Sequence, residues 1–442
     1  MAAPTKTSMK PLKAISLYTG AGGLDLGFEA AGFETRVAVE LEPDAIATLR
    51  KNRPSWEVID KDVQSEAASS KAILRAARLK AGEADVLIGG PPCQPFSKSG
   101  YWAHGDAKRL ADPRSATLSA YLRVLRDAQP RAFLLENVPG LAFSQKDEGL
   151  TFLKRSIEAI NRDTRANYSF EVALLRAVEY GVPQDRHRVF IVGSRTGELF
   201  RFPAPTHAPP SSDVGAPDDK QSSLELFPSA SDTSPRQPHL SAWDAIGDLE
   251  EDNDPALAVT GKWADLLPTI PEGNNYLFHT SRGGGVPLFG WRRRYWSFLL
   301  KLAKPLPSWT IAAQPGPAVG PFHWKNRRLS VKEMMRLQTF PENYEIVGSF
   351  RSAQRQLGNA VPSALAGALA LEIRHQLLGE PFKGVSASLL PKRRADTPPV
   401  EPIAKVPRKY LKLVGDYEAH PGTGLGYGAL RRVSAGSIAP RR

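Results

Sequence analysis

The chain has 442 residues, 41% hydrophobic and 24% charged, with a net charge of +12 and one cysteine, Cys93. That length allows two or three domains and a core that needs no disulfide. No run of eighteen apolar residues is present, so a membrane-spanning helix is excluded, and the opening MAAPTKTSMKPLK lacks the apolar stretch of a secretory signal. A lone cysteine forms neither an internal disulfide nor a cysteine zinc cluster, and the eight histidines are scattered, so the expectation is a metal-free protein of a reducing, cytoplasmic compartment.

Over the first 200 residues, strand-like apolar runs alternate with helical patterns. The strands are AISLY (14–18), VAVE (37–40), DVLIG (85–89), AFLLE (132–136) and RVFIVG (188–193), and the helical patterns lie at 24–31, 43–51, 66–80, 115–128 and 149–161. This alternation predicts a parallel sheet covered on both faces by helices, with ligands at the carboxyl edge of the strands. Gly20, Gly22 and Gly23 fall in the turn after the first strand, where glycine lets the backbone approach a ligand and a helix start offers free N–H groups. The dinucleotide pattern would require a third glycine where Asp25 stands. A carboxylate at the phosphate position disfavours a pyrophosphate and fits a cationic cofactor without phosphates. Glu40 ends the next strand, placed to grip ribose hydroxyls, and Asp62 follows a further strand-like run, placed for an adenine edge. The glycine turn alone is also compatible with a nicotinamide-dependent oxidoreductase or with a turn that binds nothing.

The fourth strand runs into GGPPCQPFSKSG, which puts Cys93 at a strand's carboxyl edge behind two stiffening prolines. That setting reads as a nucleophile rather than a buried small hydrophobe, with 97–112 as a lid over it. Glu136 closes the following strand at the same edge, where a charge is costly unless it is paired or works on a ligand. Arg186 and Arg188 stand two apart, on one face of a strand.

The texture changes near residue 200. Segment 201–240 is rich in Pro, Ser and Asp and reads as a linker, and residues 205–254 hold eleven acids against two bases. SAWDAIGDLE is a short helix within a small irregular domain. Residues 281–328 carry nine Lys/Arg and no acid, interleaved with Phe289, Trp291, Tyr295, Trp296, Trp309, Phe322 and Trp324, a composition suited to a phosphate backbone or to a solvated face. Helical periodicity returns at 330–338 and 352–377. Residues 381–442, with twelve bases and four acids, read as a mostly disordered tail.

Taken in order, SLYTGAGG, Glu40, Asp62, PPCQPFS, ENV, QDRHR, RRLSVKEMMRLQTFP (327–341) and QLGNAVP (356–362) resemble the cytosine-5 DNA methyltransferase family of bacterial restriction–modification systems. The resemblance covers about 1–200 and 325–378; Tyr18 and Lys61 stand where phenylalanine and glycine are common. It implies an α/β, Rossmann-like, doubly wound and mostly parallel sheet with a smaller target-recognition domain. The implied segments are 1–200 (catalytic and cofactor-binding), 201–325 (linker and target recognition), 326–380 (a return completing the catalytic domain) and 381–442 (basic tail). It further implies S-adenosyl-L-methionine bound by Tyr18, Gly20, Gly22, Gly23, Leu24, Glu40, Leu41, Asp62, Val63, Pro91 and Asn359. Catalysis falls to Cys93, Glu136, Arg186 and Arg188, and contacts with duplex DNA to Gln94, Ser97, Arg292, Arg293, Arg294, Thr310 and Arg327. The expected enzyme is a monomer, accompanied in such systems by a restriction endonuclease, that methylates a flipped cytosine. A tRNA cytosine-5 methyltransferase is the alternative, and a catalytically dead binding module fits poorly because Cys93 and Glu136 are both present.

Overall fold

The computed structural model describes residues 11–92, 116–141, 148–210, 235–249, 254–291, 295–380 and 389–415. The chain forms two compact units: residues 1–252, 304–314 and 330–397 in the first, and 253–303, 315–329 and 398–442 in the second.

The first unit is built on a sheet of seven strands. β1 (Leu12–Leu17), β2 (Phe33–Val39), β3 (Glu57–Ile59), β4 (Val86–Gly89) and β5 (Ala132–Asn137) pair in parallel. β6 (Ser169–Arg176) and β8 (His187–Ser194) complete it, and a two-residue strand, β7 (Gln184–Asp185), lies outside it. The order β3-β2-β1-β4-β5-β8-β6 reverses direction of travel between β1 and β4, which opens a crevice at the carboxyl ends of those two strands. β8 runs antiparallel to both β5 and β6; only a single 3₁₀ turn (Ala177–Tyr180) and β7 separate β6 from β8, too short a connection for a parallel crossover. The mostly parallel doubly wound sheet expected from the sequence is present. β6, half-exposed along most of its length, lacks the continuous apolar run that announced the inner strands.

The helices follow the predicted spacing. They are α1 (Gly23–Ala30), α2 (Pro43–Asn52), α3 (Ser70–Ala77), α4 (Ala116–Ala128) and α5 (Glu148–Thr164). α2 starts on a proline whose missing N–H has no helical partner to lose, and α3 is capped by the Ser69 hydroxyl. Alternation along β1 splits the core: Ile15 and Leu17 face α3, α4 and α5, whereas Ala14 faces α1 and the C-terminal helices.

After α6 (Ala242–Ile246), held by a Ser241–Asp244 capping box, the chain returns through α7 (Val331–Leu337), α8 (Phe350–Asn359) and α9 (Ser363–Glu372). The predicted helix 352–377 is broken at Ala360-Val361-Pro362, since proline cannot continue α8. This return lies directly on the first glycine turn. A Cβ on Gly23 would run into the Val361 carbonyl, and one on Gly27 would lie 2.5 Å from Ala366 Cβ, so only glycine lets α1 and α9 approach so closely. Arg374, fully buried, ties the same end down through the carbonyls of Ala31 and Gly32 (3.2 Å each).

The second unit has no sheet among its described residues. Short 3₁₀ turns (Pro255–Leu257, Ala264–Thr269, Tyr276–His279) surround a core of Leu266, Leu267, Ile270, Leu288, Leu299 and Phe322. Tyr276, Phe289 and Phe298 pack edge-on or tilted beside Trp263, while Tyr410 stacks on Trp263 with centroids 5.5 Å apart. Tyr410 belongs to the segment expected to be disordered, and that expectation fails for residues 389–415. The Tyr410 hydroxyl donates to Asp265, Lys409 pairs with Asp265 at 2.5 Å, and the Ala404 N–H reaches the Pro268 carbonyl. Earlier in the same segment, within the first unit, the Arg394 N–H and guanidinium bind Asp244 and Asp248. Apolar burial of one tyrosine and several ion pairs anchor a stretch whose Pro/Lys/Arg composition looked unfoldable.

Candidate active site

The glycine turn follows β1 with Tyr18 and Gly20 in left-handed backbone conformations (φ 56° and 57°). The Tyr18 hydroxyl donates to the Thr117 carbonyl at 2.8 Å, and the Tyr344 hydroxyl reaches back to the Ala21 carbonyl at 2.8 Å. Glu40, at the end of β2, is built into this turn. Its Oε2 accepts the Gly20 N–H (2.7 Å), and its Oε1 accepts the N–H groups of Leu41 and Glu42 (2.8 Å each). A carboxylate has about four acceptor positions, so three are spent on the backbone and one remains for a ligand. Beside it Leu41 is 58% exposed, an unusual setting for a leucine and a flat apolar surface at the crevice. Asp62 is half-buried and caps the next turn by accepting the Gln64 N–H (2.9 Å). Asn359 is exposed at the end of α8.

Two expected cofactor contacts can offer only their main chain. Leu24 and Val63 turn their side chains into the cores on the two faces of the sheet, leaving only their main chain available. Asp25 does not project into the turn at all. It is fully buried under α1, accepting from the Thr35 hydroxyl at 3.2 Å. The inference that its charge repels a phosphate is therefore corrected: α1's first turn directs position 25 towards the sheet, and burial holds the carboxyl protonated up to a pKa of about 7.

At the carboxyl ends of β4 and β5 the structure is tightly determined. Tyr121 of α4 is completely buried and its hydroxyl bridges the Leu87 and Leu134 carbonyls (3.2 and 3.0 Å). Pro91 and Pro92 are held by their carbonyls, Pro91 by the Asn137 side-chain amide (3.1 Å) and Pro92 by the Thr117 hydroxyl (3.0 Å). Cys93, Gln94 and Ser97, the expected lid 97–112, and Arg292, Arg293 and Arg294 lie outside the described residues. The scaffold that delivers the chain to Cys93 is nonetheless fixed one residue before it.

Glu136 is buried, with Oε1 2.8 Å from the Arg188 guanidinium. Gly90 leaves room for the carboxyl: a Cβ there would lie 2.9 Å from Glu136 Oε2. Burial raises the Glu136 pKa, and the charges of Arg188 and Arg186 only partly oppose that. Arg186 is also brought beside Glu136, but it is fully buried and its Nη2 donates to the Gly358 carbonyl at 2.7 Å. Its expected place in catalysis is corrected to an internal role, fastening the turn that carries Asn359.

Thr310 belongs to the first unit. Ser308–Trp309 pairs in parallel with β7, and the Thr310 hydroxyl donates to the Asp185 carbonyl at 2.7 Å. In the second unit Arg327 is only 8% exposed and donates to the Arg328 carbonyl, and Lys301 is buried at 3%; Lys304, in the first unit, is buried at 1%. The run of nine bases is therefore not one open face. Several residues that organise the site carried no sequence signal of their own. Gln184 donates to the Leu337 carbonyl and accepts the Ile311 N–H (3.1 Å each), joining three separate segments, and Asn137 was passed over beside Glu136.

The sequence profile of C-5 cytosine-specific DNA methylases matches residues 12–375. The chain belongs to this family. Among its relatives, the type II methyltransferase M.SacI of Streptomyces achromogenes is 39% identical over 388 residues, covering 83% of this chain and 93% of that protein. M.AquIA of Picosynechococcus is 44% identical over 201 residues, 45% of this chain and 77% of that one. The crystal structure of Spodoptera frugiperda DNMT2 superposes with a TM-score of 0.51 at 17% identity, covering 80% of this chain and 97% of that one, a likeness of fold. No helix among the described residues of this C-5 cytosine methylase is long and apolar enough to cross a membrane.

Proposed function

We propose that the protein methylates carbon 5 of a specific cytosine in duplex DNA, with Cys93 as the nucleophile. The observation that carries this reading is the buried Glu136 carboxyl, bound to Arg188 and raised in pKa, at the same sheet edge as a Pro91-Pro92 turn whose carbonyls are both fastened.

Carbon 5 of cytosine is a poor nucleophile inside an aromatic ring. Addition of the Cys93 thiolate at carbon 6 forms a carbon–sulfur bond and moves the 5,6 electron pair towards carbon 5 and the ring nitrogen beside the carbonyl. A carboxyl whose proton affinity is raised by burial can give that nitrogen a hydrogen bond, the role assigned to Glu136, and Arg188 would stabilise charge at the carbonyl oxygen. S-adenosylmethionine, when bound, supplies an electrophilic methyl. The residues that fit it are Gly20, the remaining acceptor position of Glu40 for a ribose hydroxyl, the exposed face of Leu41 for an apolar ring, Asp62 and Asn359. After methylation a base takes the carbon 5 proton, and the electron pair of that bond expels the thiolate. Reaching carbon 6 requires the cytosine to leave the helix stack, at a cost of a few kcal/mol.

Replacement of Cys93 by serine tests the chemistry. Transfer of labelled methyl from S-adenosylmethionine to duplex DNA is expected to fall by at least about 10³-fold, while the thermal shift produced by S-adenosylmethionine persists. Wild-type turnover in Cys93→Ser would refute the adduct.

A further inference from the structure

Among the described residues of the second unit is an arginine whose setting is built rather than merely exposed. The chain from Leu277 to Phe289 folds back on itself, and its two limbs are pinned at His279. The His279 carbonyl accepts the N–H groups of Leu288 and Phe289 (2.9 and 3.0 Å), and its Nδ1 donates to the Val286 carbonyl at 3.0 Å. His279 is 1% exposed, and its Nε2 lies 2.7 Å from the Thr269 hydroxyl, whose own proton goes to the Leu266 carbonyl, so both ring nitrogens have a partner. The Gly285 N–H closes the inner turn on the Phe278 carbonyl at 2.9 Å, and Gly283 and Gly285 leave no space for a side chain against Phe278. Phe289 then anchors the returning limb among Trp263, Tyr276 and Phe298.

At the tip of this fixed loop Arg282 is exposed, with its guanidinium 4.9 Å from the ring centroid of Trp291. No carboxylate among the described residues pairs with it. Nothing in 281–328 carries a negative charge, so the stack stands in a purely positive stretch of sequence. The alternative partners for an exposed arginine, a surface ion pair or a carbonyl of its own loop, are absent among the described residues. A guanidinium lying on an indole is held flat and loses much of its rotational freedom, yet the stacking uses only its face. A guanidinium held by its face keeps its in-plane N–H groups free to donate. Two parallel donors in a plane match the O6 and N7 acceptors that guanine alone presents in the major groove. A lysine-like point charge for phosphate would need neither the aromatic support nor the stapled loop.

We propose that Arg282, held over Trp291, reads a guanine of the recognised duplex. This rests on the reading that the protein methylates DNA, and the test separates the two. Wild type, Arg282→Lys and Arg282→Ala are expressed in cells free of cytosine methylation, and the modified sites are mapped by whole-genome bisulfite sequencing. The wild type is expected to modify one motif. Both variants are expected to modify, in addition, sites that differ from it at one guanine, with discrimination at that position reduced about 10- to 100-fold. Melting temperature and its shift with S-adenosylmethionine should match wild type, because Arg282 is exposed and the loop is fixed by other residues. Arg282→Lys keeps the charge and loses the fork. A wild-type map in Arg282→Lys together with uniformly weaker modification in Arg282→Ala would mark a phosphate contact and overturn the proposal, as would unchanged maps in both. If wild type leaves no 5-methylcytosine, the methyltransferase reading itself fails, and guanine reading with it.

Discussion

The two units of this chain solve the problem of placing charged groups in opposite ways. In the first, a sheet fixes the main chain, and functional side chains stand at strand ends: Glu40 closes β2 and Glu136 sits near the end of β5, each held by short bonds from the crevice edge. In the second, no sheet orders the backbone among the described residues, and side chains hold the loops together. Lys301 is buried with its ammonium on the Ile270 carbonyl at 2.5 Å and its pKa lowered to about 8 by desolvation, and Tyr410 locks a distant segment against Trp263. In one unit position along the chain tells what a charge does; in the other, neighbours in sequence such as Lys301 and Arg282 serve as interior cement and exposed contact respectively.

That contrast can be broken experimentally. The greatest effect is expected where the two ends of the first unit interlock. Gly27→Val forces a branched side chain into the Ala366 and Ser363 backbone, and is expected to abolish soluble, cooperatively folding protein or to lower stability by more than about 3 kcal/mol, measured by urea unfolding. A variant with wild-type midpoint would show that α1 and α9 are not packed as described. Next is the strap of the second unit. Tyr410→Ala removes a buried aromatic and its bond to Asp265 and should cost about 3–5 kcal/mol, whereas truncation after residue 415 should leave the melting temperature within a few degrees of wild type. An unchanged stability in Tyr410→Ala would show that this segment is not packed against Trp263.

The smallest effect sharpens the role of Asp25. Its folded pKa of about 7 lies above the ordinary aspartate value, so the folded state binds this proton more tightly than the unfolded chain. Its favourable contribution is complete at low pH and is lost as pH rises through 7. Asp25→Asn is expected to gain on the order of 1–4 kcal/mol relative to wild type at pH 8 and little at pH 4, read from chemical denaturation at the two pH values. Equal gaps at both would show that Asp25 is ionised in the fold.

Most of the first unit was legible in the sequence because its signals are local. Continuous apolar runs marked β1, β4 and β5, the prolines marked the turn before Cys93, and carboxylates at strand ends marked Glu40 and Glu136. What escaped depends on long-range pairing. The half-exposed β6 has no strong pattern, Gln184 acquires meaning only when residues 311 and 337 arrive beside it, and Asp25 reads as a turn residue until the helix phase aims it inward. The second unit was the least readable. Its folding information lies in single aromatics and buried lysines separated by more than a hundred residues, so a stretch rich in Pro, Lys and Arg could be taken for a disordered tail.

Residues 360–367 close on Gly23 and Gly27, which leave the ribosome more than 330 residues earlier. A nascent chain therefore emerges with its first strand and helix made but their apolar face bare, and residues 253–303 and 315–329 of the second unit are synthesised before residues 360–367 can cover it. A product terminated before residue 360 leaves that face exposed to water and to other chains.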